Sequence, residues 1–385
     1  MRLFLFAGEP SGDLHGSHLL EKLQKQMPSA EFFGIGGPKM RSLGFEGEFK
    51  MEDFAVMGFS DVFYNLSRLI RQFNQISRNL VENNPTGVIL IDYPDFNLRL
   101  AARLRKRGYK GKIIHYISPT VWAWRKGRIH TMARNLDLLL TIYPFEADCY
   151  KESSLPVTYV GNPLVEYLSH YEYDERWKEK CNIPADLPVV ALFPGSREHE
   201  ILRNLPLMLQ AVRLLLEHDG IPRTIAISCK GVKEAVYISQ QVAALNLPEE
   251  AKILTVPHTF TYELMRDCHV AIAKSGTVTL ELALHHRPTV VIYQLSALNY
   301  FIAQYCMRLN LPYYCMANIL LGKELFPECI GRHVSPQTIF EHLEKLDRSG
   351  VDRSVCLRGC QVLSTVLHGA DASEKAAKAV ARGLM

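Results

Sequence analysis

Two kinds of hydrophobic pattern alternate along the chain. Short apolar runs rich in branched and aromatic residues are separated by longer stretches whose apolar positions recur every three or four residues. In the first half the short runs are Arg2–Ala7, Glu31–Gly34, Gly87–Asp92, Lys112–Ser118 and Asp137–Tyr143. The helical stretches between them cover Leu14–Gln26, Asp61–Glu82, Asn97–Arg107 and Gly127–Asn135. Strand–helix–strand alternation at this spacing predicts a parallel sheet flanked by helices.

Around Gly161–Pro163 the pattern pauses, and the chain stays polar and irregular up to Pro188. It then restarts with apolar runs at Val189–Phe193, Thr224–Ser228, Ile253–Val256, Val270–Ala273 and Thr289–Tyr293. Helices are expected over Glu198–Glu217, over Val232–Leu245 and from Pro336 onward. Each half opens with an apolar strand running into a glycine-containing loop, FLFAGEPSGD and then VVALFPGSRE. The simplest architecture is α/β, with two doubly wound, Rossmann-like domains facing one another across a cleft. The first would cover residues 1–165 and the second 166–351. Ligands of such sheets bind outside the carboxyl ends of the strands.

Composition narrows this picture without redirecting it. The 385 residues are 48% hydrophobic and 22% charged, which excludes a disordered chain. Lys and Arg number 44 against 40 Asp and Glu, and the cations are dispersed, so nucleic acid is not an expected partner. Nine cysteines form no C-x-x-C pair, and Cys356 and Cys360, the closest two, have no histidine at zinc-site spacing. Free thiols in the cytoplasm account for them. The first residues read as a strand rather than a signal peptide. No run of apolar residues is long enough to span a bilayer.

Five loops carry candidate chemistry. Gly8-Glu9-Pro10-Ser11-Gly12-Asp13 allows close backbone approach and opens a helix whose free N–H groups suit a polar ligand. An ordinary turn capped by Ser11 or Asp13 explains the same residues. Pro194-Gly195-Ser196-Arg197 brings a helix start, a hydroxyl and a guanidinium fork together, a set that suits a diphosphate. Its structural alternative is Ser196 as cap and Arg197 in solvent. Lys274-Ser275-Gly276-Thr277 repeats that arrangement, with Glu281 one to two turns on, in reach of ribose hydroxyls. Asp92 ends an apolar strand and is a candidate proton acceptor, whereas Asp95 reads as a helix cap. Two of the three tryptophans sit in Ser118–Arg125, where a packing role is the default.

No D-x-D triplet, H-E-x-x-H or G-x-S-x-G occurs, so no metal ligand pair for a nucleotide diphosphate is predicted, and without G-x-G-x-x-G spacing a dinucleotide site is not expected. Asp61–Ile76 places Phe63, Leu66, Leu69, Ile70 and Phe73 at helical spacing beside Arg68 and Arg71. A core-facing helix is the ordinary reading, and an acyl-chain or membrane-surface helix is the other.

Taken together, AGEPSGDLHG, GIGGPKM, AVMGF, IDYPDFN, HYISPTVWAWR, PFE, FPGSR and KSGTVTLE occur in an order that resembles the lipid-A-disaccharide synthase family. The resemblance implies a GT-B fold, with helices of about residues 352–385 returning to the first domain. It implies an inverting, metal-independent transfer without cofactor. UDP-2,3-diacylglucosamine would be joined to 2,3-diacylglucosamine 1-phosphate, giving the β-1,6-linked disaccharide 1-phosphate and UDP. It puts the catalytic carboxylate on Asp92, active-site loop residues on Glu9, Ser11 and Asp13, and UDP-side positions on Ser196, Arg197, Ser275, Gly276, Thr277 and Glu281. Through ANILLGKE it adds Asn318 and Glu324, which no pattern singled out. It also implies a peripheral position on the inner face of the inner membrane, favouring the lipid reading of Asp61–Ile76, and is compatible with a homodimer. Where family members often have threonine this chain has Pro10, and LFPECIG after Glu324 matches loosely. The rivals are another GT-B UDP-sugar enzyme, such as a peptidoglycan glucosaminyltransferase or a UDP-sugar epimerase, and a non-catalytic nucleotide- or lipid-binding protein.

Overall fold

The computed structural model describes the chain apart from residues 55–58, 124, 246–250, 297–299, 301–310, 368, 370 and 385, and describes only the backbone of 59–66. The AVMGF motif, Trp124, and the side chains of Phe63 and Leu66 thus lie outside the described residues. The chain divides into two compact units, Met1–His170 with Leu367–Met385, and Tyr171–Val366.

Unit 1 is built on a six-stranded sheet of β1 (Arg2–Ala7), β2 (Glu31–Ile35), β3 (Gly87–Ile91), β4 (Lys112–Tyr116), β5 (Leu138–Thr141) and β6 (Val157–Tyr159). Its spatial order is β2-β1-β3-β4-β5-β6, with all pairs parallel. Strands β1 and β3 are buried on both faces, which is why their sequences are nearly unbroken apolar runs. One face packs on Leu19, Leu20 and Leu23 of α1 (Pro10–Gln26), together with Ala376, Ala377 and Val380 of the C-terminal helix Ala372–Leu384. The other packs on Leu100, Ala101 and Leu104 of α4 (Pro94–Lys106) and on Ile76 and Leu80 of the long helix Phe59–Asn83.

Unit 2 repeats the plan with β7 (Val189–Phe193), β8 (Thr224–Cys229), β9 (Lys252–Pro257), β10 (Val270–Lys274), β11 (Thr289–Gln294) and β12 (Glu328–Gly331), in the order β12-β11-β10-β7-β8-β9. The short strands β6 and β12 were not legible as apolar runs; each is an edge strand of its sheet, and their residues are mostly half-buried. Arg223, nearly inaccessible, is held between Asp219 at 2.8 Å and Asp347 at 2.6 Å, tying the start of β8 to the helix Pro336–Asp347.

The expected return of residues 352–385 to the first domain needs correction. Helix Val351–Val366 belongs to unit 2, where Ser364 Oγ meets His286 Nε2 at 3.0 Å and Arg353 donates to the His269 carbonyl at 3.0 Å. Only Ala372–Leu384 packs on unit 1, tied there by Gln26 to Glu374 at 2.9 Å and by the Ser373 N–H to Glu166 at 2.8 Å.

Topology singles out one place in each unit. A doubly wound sheet reverses strand order between two neighbouring parallel strands, and the loops at their carboxyl ends diverge to leave a ligand crevice. In unit 1 that point lies between β1 and β3, with Ala7 beside Ile91. In unit 2 it lies between β7 and β10, with Phe193 beside Ala273.

Candidate active site

At the unit 1 switch point, β1 leads into Gly8–Asp13 and β3 into Asp92. Both Asp92 and Tyr93 adopt left-handed backbone conformations, with φ of 49° and 46°. Two successive non-glycine residues there cost on the order of 1–3 kcal/mol each unless the surroundings enforce them. The enforcement is visible. The Asp92 N–H donates to the Tyr116 carbonyl at 2.9 Å, and Asn97 Nδ2 donates to the carbonyls of Ile91 and Asp92 at 3.2 and 2.6 Å. Pro94 then starts α4. The tight turn leaves the Asp92 carboxylate at the carboxyl end of the sheet, where Ser11 Oγ donates to Oδ2 at 3.3 Å. Burial pushes Asp92 above the ordinary carboxylate range, opposed by hydrogen bonds from the Tyr93 N–H, from Ser11 and with Glu9. Glu9, Ser11 and Asp92 are therefore one cluster. A Cβ at Gly8 would stand 2.8 Å from the rings of Phe6 and Tyr93, so glycine is required for this packing.

Asp13 has a different task. It is buried, and its carboxylate accepts the N–H groups of Gly37, Lys39 and Met40 at 2.7, 2.9 and 3.1 Å. It caps the short helix Pro38–Arg41 from a distance and anchors the GGPKM loop beside the site. The helix it might have capped, α1, has Glu9 at its N-cap and no side-chain cap. Asp95 is likewise not a cap, since Tyr93 holds that position in α4; it pairs with Arg125 and Arg128 instead. Glu146 of the PFE motif is 1% exposed and accepts the N–H groups of Ile142 and Tyr143 at 3.2 and 3.1 Å. Burial pushes it up to about 7 despite those bonds.

In unit 2 the two loops form a pocket of about 370 Å³ lined by Pro194–Arg197, Lys230, His258, Lys274, Gly276, Thr277 and Glu281. Here, too, the N-cap expectation fails: Arg197, not Ser196, stands at the N-cap position of α8 (Glu198–Asp219), and Glu200 rather than a cap side chain bonds the N–H groups at its start. Glu200 reaches back to the N–H groups of Ser196 and Arg197 at 3.0 and 3.3 Å and pairs with Lys274 Nζ at 3.1 Å. Burial penalises its charge, but those N–H groups and the lysine hold it below the usual range. Arg197 itself is 72% exposed. The helix α11 (Thr277–Leu284) has Gly276 at its N-cap with no side-chain cap, and Gly276 and Thr277 at its start line the pocket. Glu281 is not an exposed helix residue; it accepts from Tyr262 Oη at 3.1 Å, and burial pushes it up.

The structure gathers Ser196, Arg197, Gly276, Thr277 and Glu281 in this pocket, and Ser275 lies on the same loop. Two other UDP-side candidates fall elsewhere. Asn318 is fully buried and spends its side chain on the chain itself, accepting from Leu325 and Phe326 N–H at 2.8 and 2.9 Å and donating to Phe326 O and Glu328. Glu324 is exposed on that turn. Sequence reading named Lys274 within its loop but missed Glu200 and Lys230 as pocket residues. In the helix Phe59–Asn83, Leu69 and Phe73 pack against the core, Phe73 edge-on to Phe96, so Ile70 is the described stripe residue that faces outward. The apolar stripe's C-terminal half is a core seam. Among the described residues no helix is long and apolar enough to cross a membrane.

Comparison with known proteins agrees with this fold. By fold, the chain is similar to UDP-GlcNAc 2-epimerase from Neisseria meningitidis, solved bound to UDP-GlcNAc, with a TM-score of 0.62 over 100% of this chain and 99% of that one at 10% identity. MurG from Acinetobacter baumannii gives 0.60 over 99% of each chain at 11% identity. Such likeness speaks to the GT-B fold alone. By sequence, the chain is 39% identical to the lipid-A-disaccharide synthase of Chlamydia pneumoniae over 98% of its own length but 62% of the relative's. It is 42% identical to that of Chlamydia trachomatis serovar D over 85% of its length and 53% of the relative's. Thus it spans little more than half the length of these chlamydial relatives. It is 34% identical to the Azotobacter vinelandii synthase, covering 99% of this chain and 97% of that one. The sequence profile of the lipid-A-disaccharide synthetase family matches residues 3–359, and the chain belongs to that family.

Proposed function

We propose that the protein is an inverting glycosyltransferase that joins UDP-2,3-diacylglucosamine to 2,3-diacylglucosamine 1-phosphate, releasing UDP and the β-1,6-linked disaccharide 1-phosphate. The observation that carries this reading is Asp92, a carboxylate fixed at a switch point by a strained turn and touched by Ser11. Family membership supplies the substrate class.

In this mechanism Asp92 accepts the proton of the acceptor's 6-hydroxyl as that oxygen attacks the donor's anomeric carbon. The bond from that carbon to the diphosphate breaks, and the configuration inverts in a single displacement that needs one base. Ser11 and Glu9 orient the carboxylate, and Asp13 holds the loop in place. The diphosphate leaves into the unit 2 pocket, where the α11 N-terminus, Arg197 and Lys274 stabilise its charge. Those fixed donors perform the charge neutralisation that many transferases assign to a metal ion. Glu281, with Ser275, Gly276 and Thr277, holds the nucleoside side. Asn318 and Glu324 act through the loop they organise rather than by direct contact. We assign the outward Ile70, with the exposed Arg68 and Arg71, to contact with the lipid surface on the inner face of the inner membrane.

The test is UDP release by purified protein given both acylated glucosamine substrates in the presence of EDTA. Release that requires both substrates and survives EDTA is expected. Loss with EDTA and recovery with magnesium would overturn the metal-free mechanism, and no release under any condition would overturn the transferase reading.

A further inference from the structure

The loop after β4 carries three cations within four residues, Arg125, Lys126 and Arg128. Arg125 Nη1 lies 3.2 Å from Asp95 Oδ1, and Arg128 Nη2 bonds to the same oxygen. Asp95 sits in the first turn of α4, three residues after Asp92. Arg125 also adopts a left-handed backbone, with φ of 57°. The cations and the candidate base are therefore fixed to the same end of the same two adjacent strands, β3 and β4. Lys126 lines a neighbouring pocket of about 380 Å³ with Trp122, His130 and Glu152.

The Arg125–Asp95 pair adds little stability at its exposed position, whereas Arg128 is 18% exposed. The Asp95 side chain is 65% exposed, and Arg125 is 49% exposed. An exposed ion pair is worth roughly 0–1 kcal/mol, and a second guanidinium on one carboxylate oxygen adds like-charge repulsion. Two guanidinium groups on one exposed carboxylate, with Lys126 next to Arg125 in the chain, are instead suited to a dianion. Guanidinium forks match the paired oxygens of a phosphate, and a carboxylate behind them fixes their direction.

We propose that Arg125, Arg128 and Lys126 bind the phosphomonoester of the acceptor sugar, with Asp95 as the residue that positions the two arginines. The inference rests on the transferase reading above, which has an acceptor with a phosphate at one end of the ring and the attacking hydroxyl at the other. Anchoring the phosphate at Asp95's arginines, three residues along the chain from Asp92, directs that hydroxyl toward Asp92. The site would then make the enzyme selective for an acceptor phosphorylated at its anomeric oxygen.

The experiment compares two acceptors, 2,3-diacylglucosamine 1-phosphate and its dephosphorylated form, in wild-type protein, R125Q and K126Q, both at exposed positions, and in R128Q. The readouts are kcat/KM for UDP release and equilibrium binding of each acceptor by calorimetry in matched detergent. Wild-type protein should prefer the phosphorylated acceptor. Loss of one charge-assisted contact should shrink that preference by about 10- to 100-fold in R125Q and R128Q, and less in K126Q, while the donor KM stays in place. A wild-type protein indifferent to the phosphate would overturn the proposal. So would variants in which both acceptors weaken by the same factor, since that is the mark of a structural role. If wild-type protein releases no UDP, the transferase reading fails separately, and the binding preference for the phosphorylated sugar still decides this one.

Discussion

The two switch points occupy equivalent places in equivalent sheets, yet their carboxylates are treated in opposite ways. In unit 1 Asp92 is half-buried with only hydroxyl, carboxyl and N–H neighbours among its hydrogen bonds, and that burial pushes its pKa up. In unit 2 Glu200 is buried, but Lys274 and two N–H groups hold it ionised. A carboxylate whose charge is only partly compensated is ready to take a proton; one locked to a lysine is a fixed part of an anion-binding frame. In the proposed mechanism one fold thus supplies a base in one unit and a leaving-group pocket in the other through the choice of partner.

Acid-to-amide exchange at each site should separate these roles. Asp92→Asn removes the base and is expected to lower turnover by about 10²–10⁴-fold, measured as kcat for UDP release. Glu200→Gln is expected to act on the donor instead, raising its KM by about 10- to 100-fold through loss of a charged hydrogen-bonding centre, with a far smaller change in kcat. A Glu200→Gln effect confined to kcat would erase the distinction.

Glu146 extends the comparison to stability. Its folded value of about 7 lies above its ordinary 4.5, so the folded state binds the proton more tightly. The associated stability is fully present below pH 4.5 and is lost as pH rises through 7; the interval corresponds to roughly 3 kcal/mol. Denaturant unfolding followed from pH 5 to 8 should show this decline, and Glu146→Gln should flatten it. The smallest effect belongs to Ser11, whose hydrogen bond lowers the Asp92 pKa. Ser11→Ala should move the acidic limb of the kcat/KM profile to higher pH while lowering turnover a few-fold. A shift to lower pH would contradict the assigned contact.

Most of the architecture was written in the hydrophobic pattern, because a buried parallel strand must be apolar throughout and its flanking helix apolar on one face. Val189–Phe193 and Gly87–Ile91 are found where those runs stand. Strands β6 and β12 escaped because edge strands bury less and carry polar residues. Asp92 was legible because it closes an apolar run, and Glu281 because of its distance from Lys274–Thr277. What Asp13 and Asn318 do was not legible. Their partners lie up to 27 residues away in one case and across a turn in the other, and nothing in the local pattern tells an inward-bonded polar side chain from a ligand contact. The same limit hid the division of labour at the C-terminus, where two successive amphipathic helices pack on different units.

The most direct test of the central claim is the pH dependence of kcat/KM for UDP release in wild-type protein and Asp92→Asn, with both acylated substrates present. The account predicts an acidic limb in the wild type above the ordinary aspartate value of 3.8, and a low profile without that limb in the variant. A variant that keeps wild-type turnover and the same acidic limb would show that Asp92 is not the base.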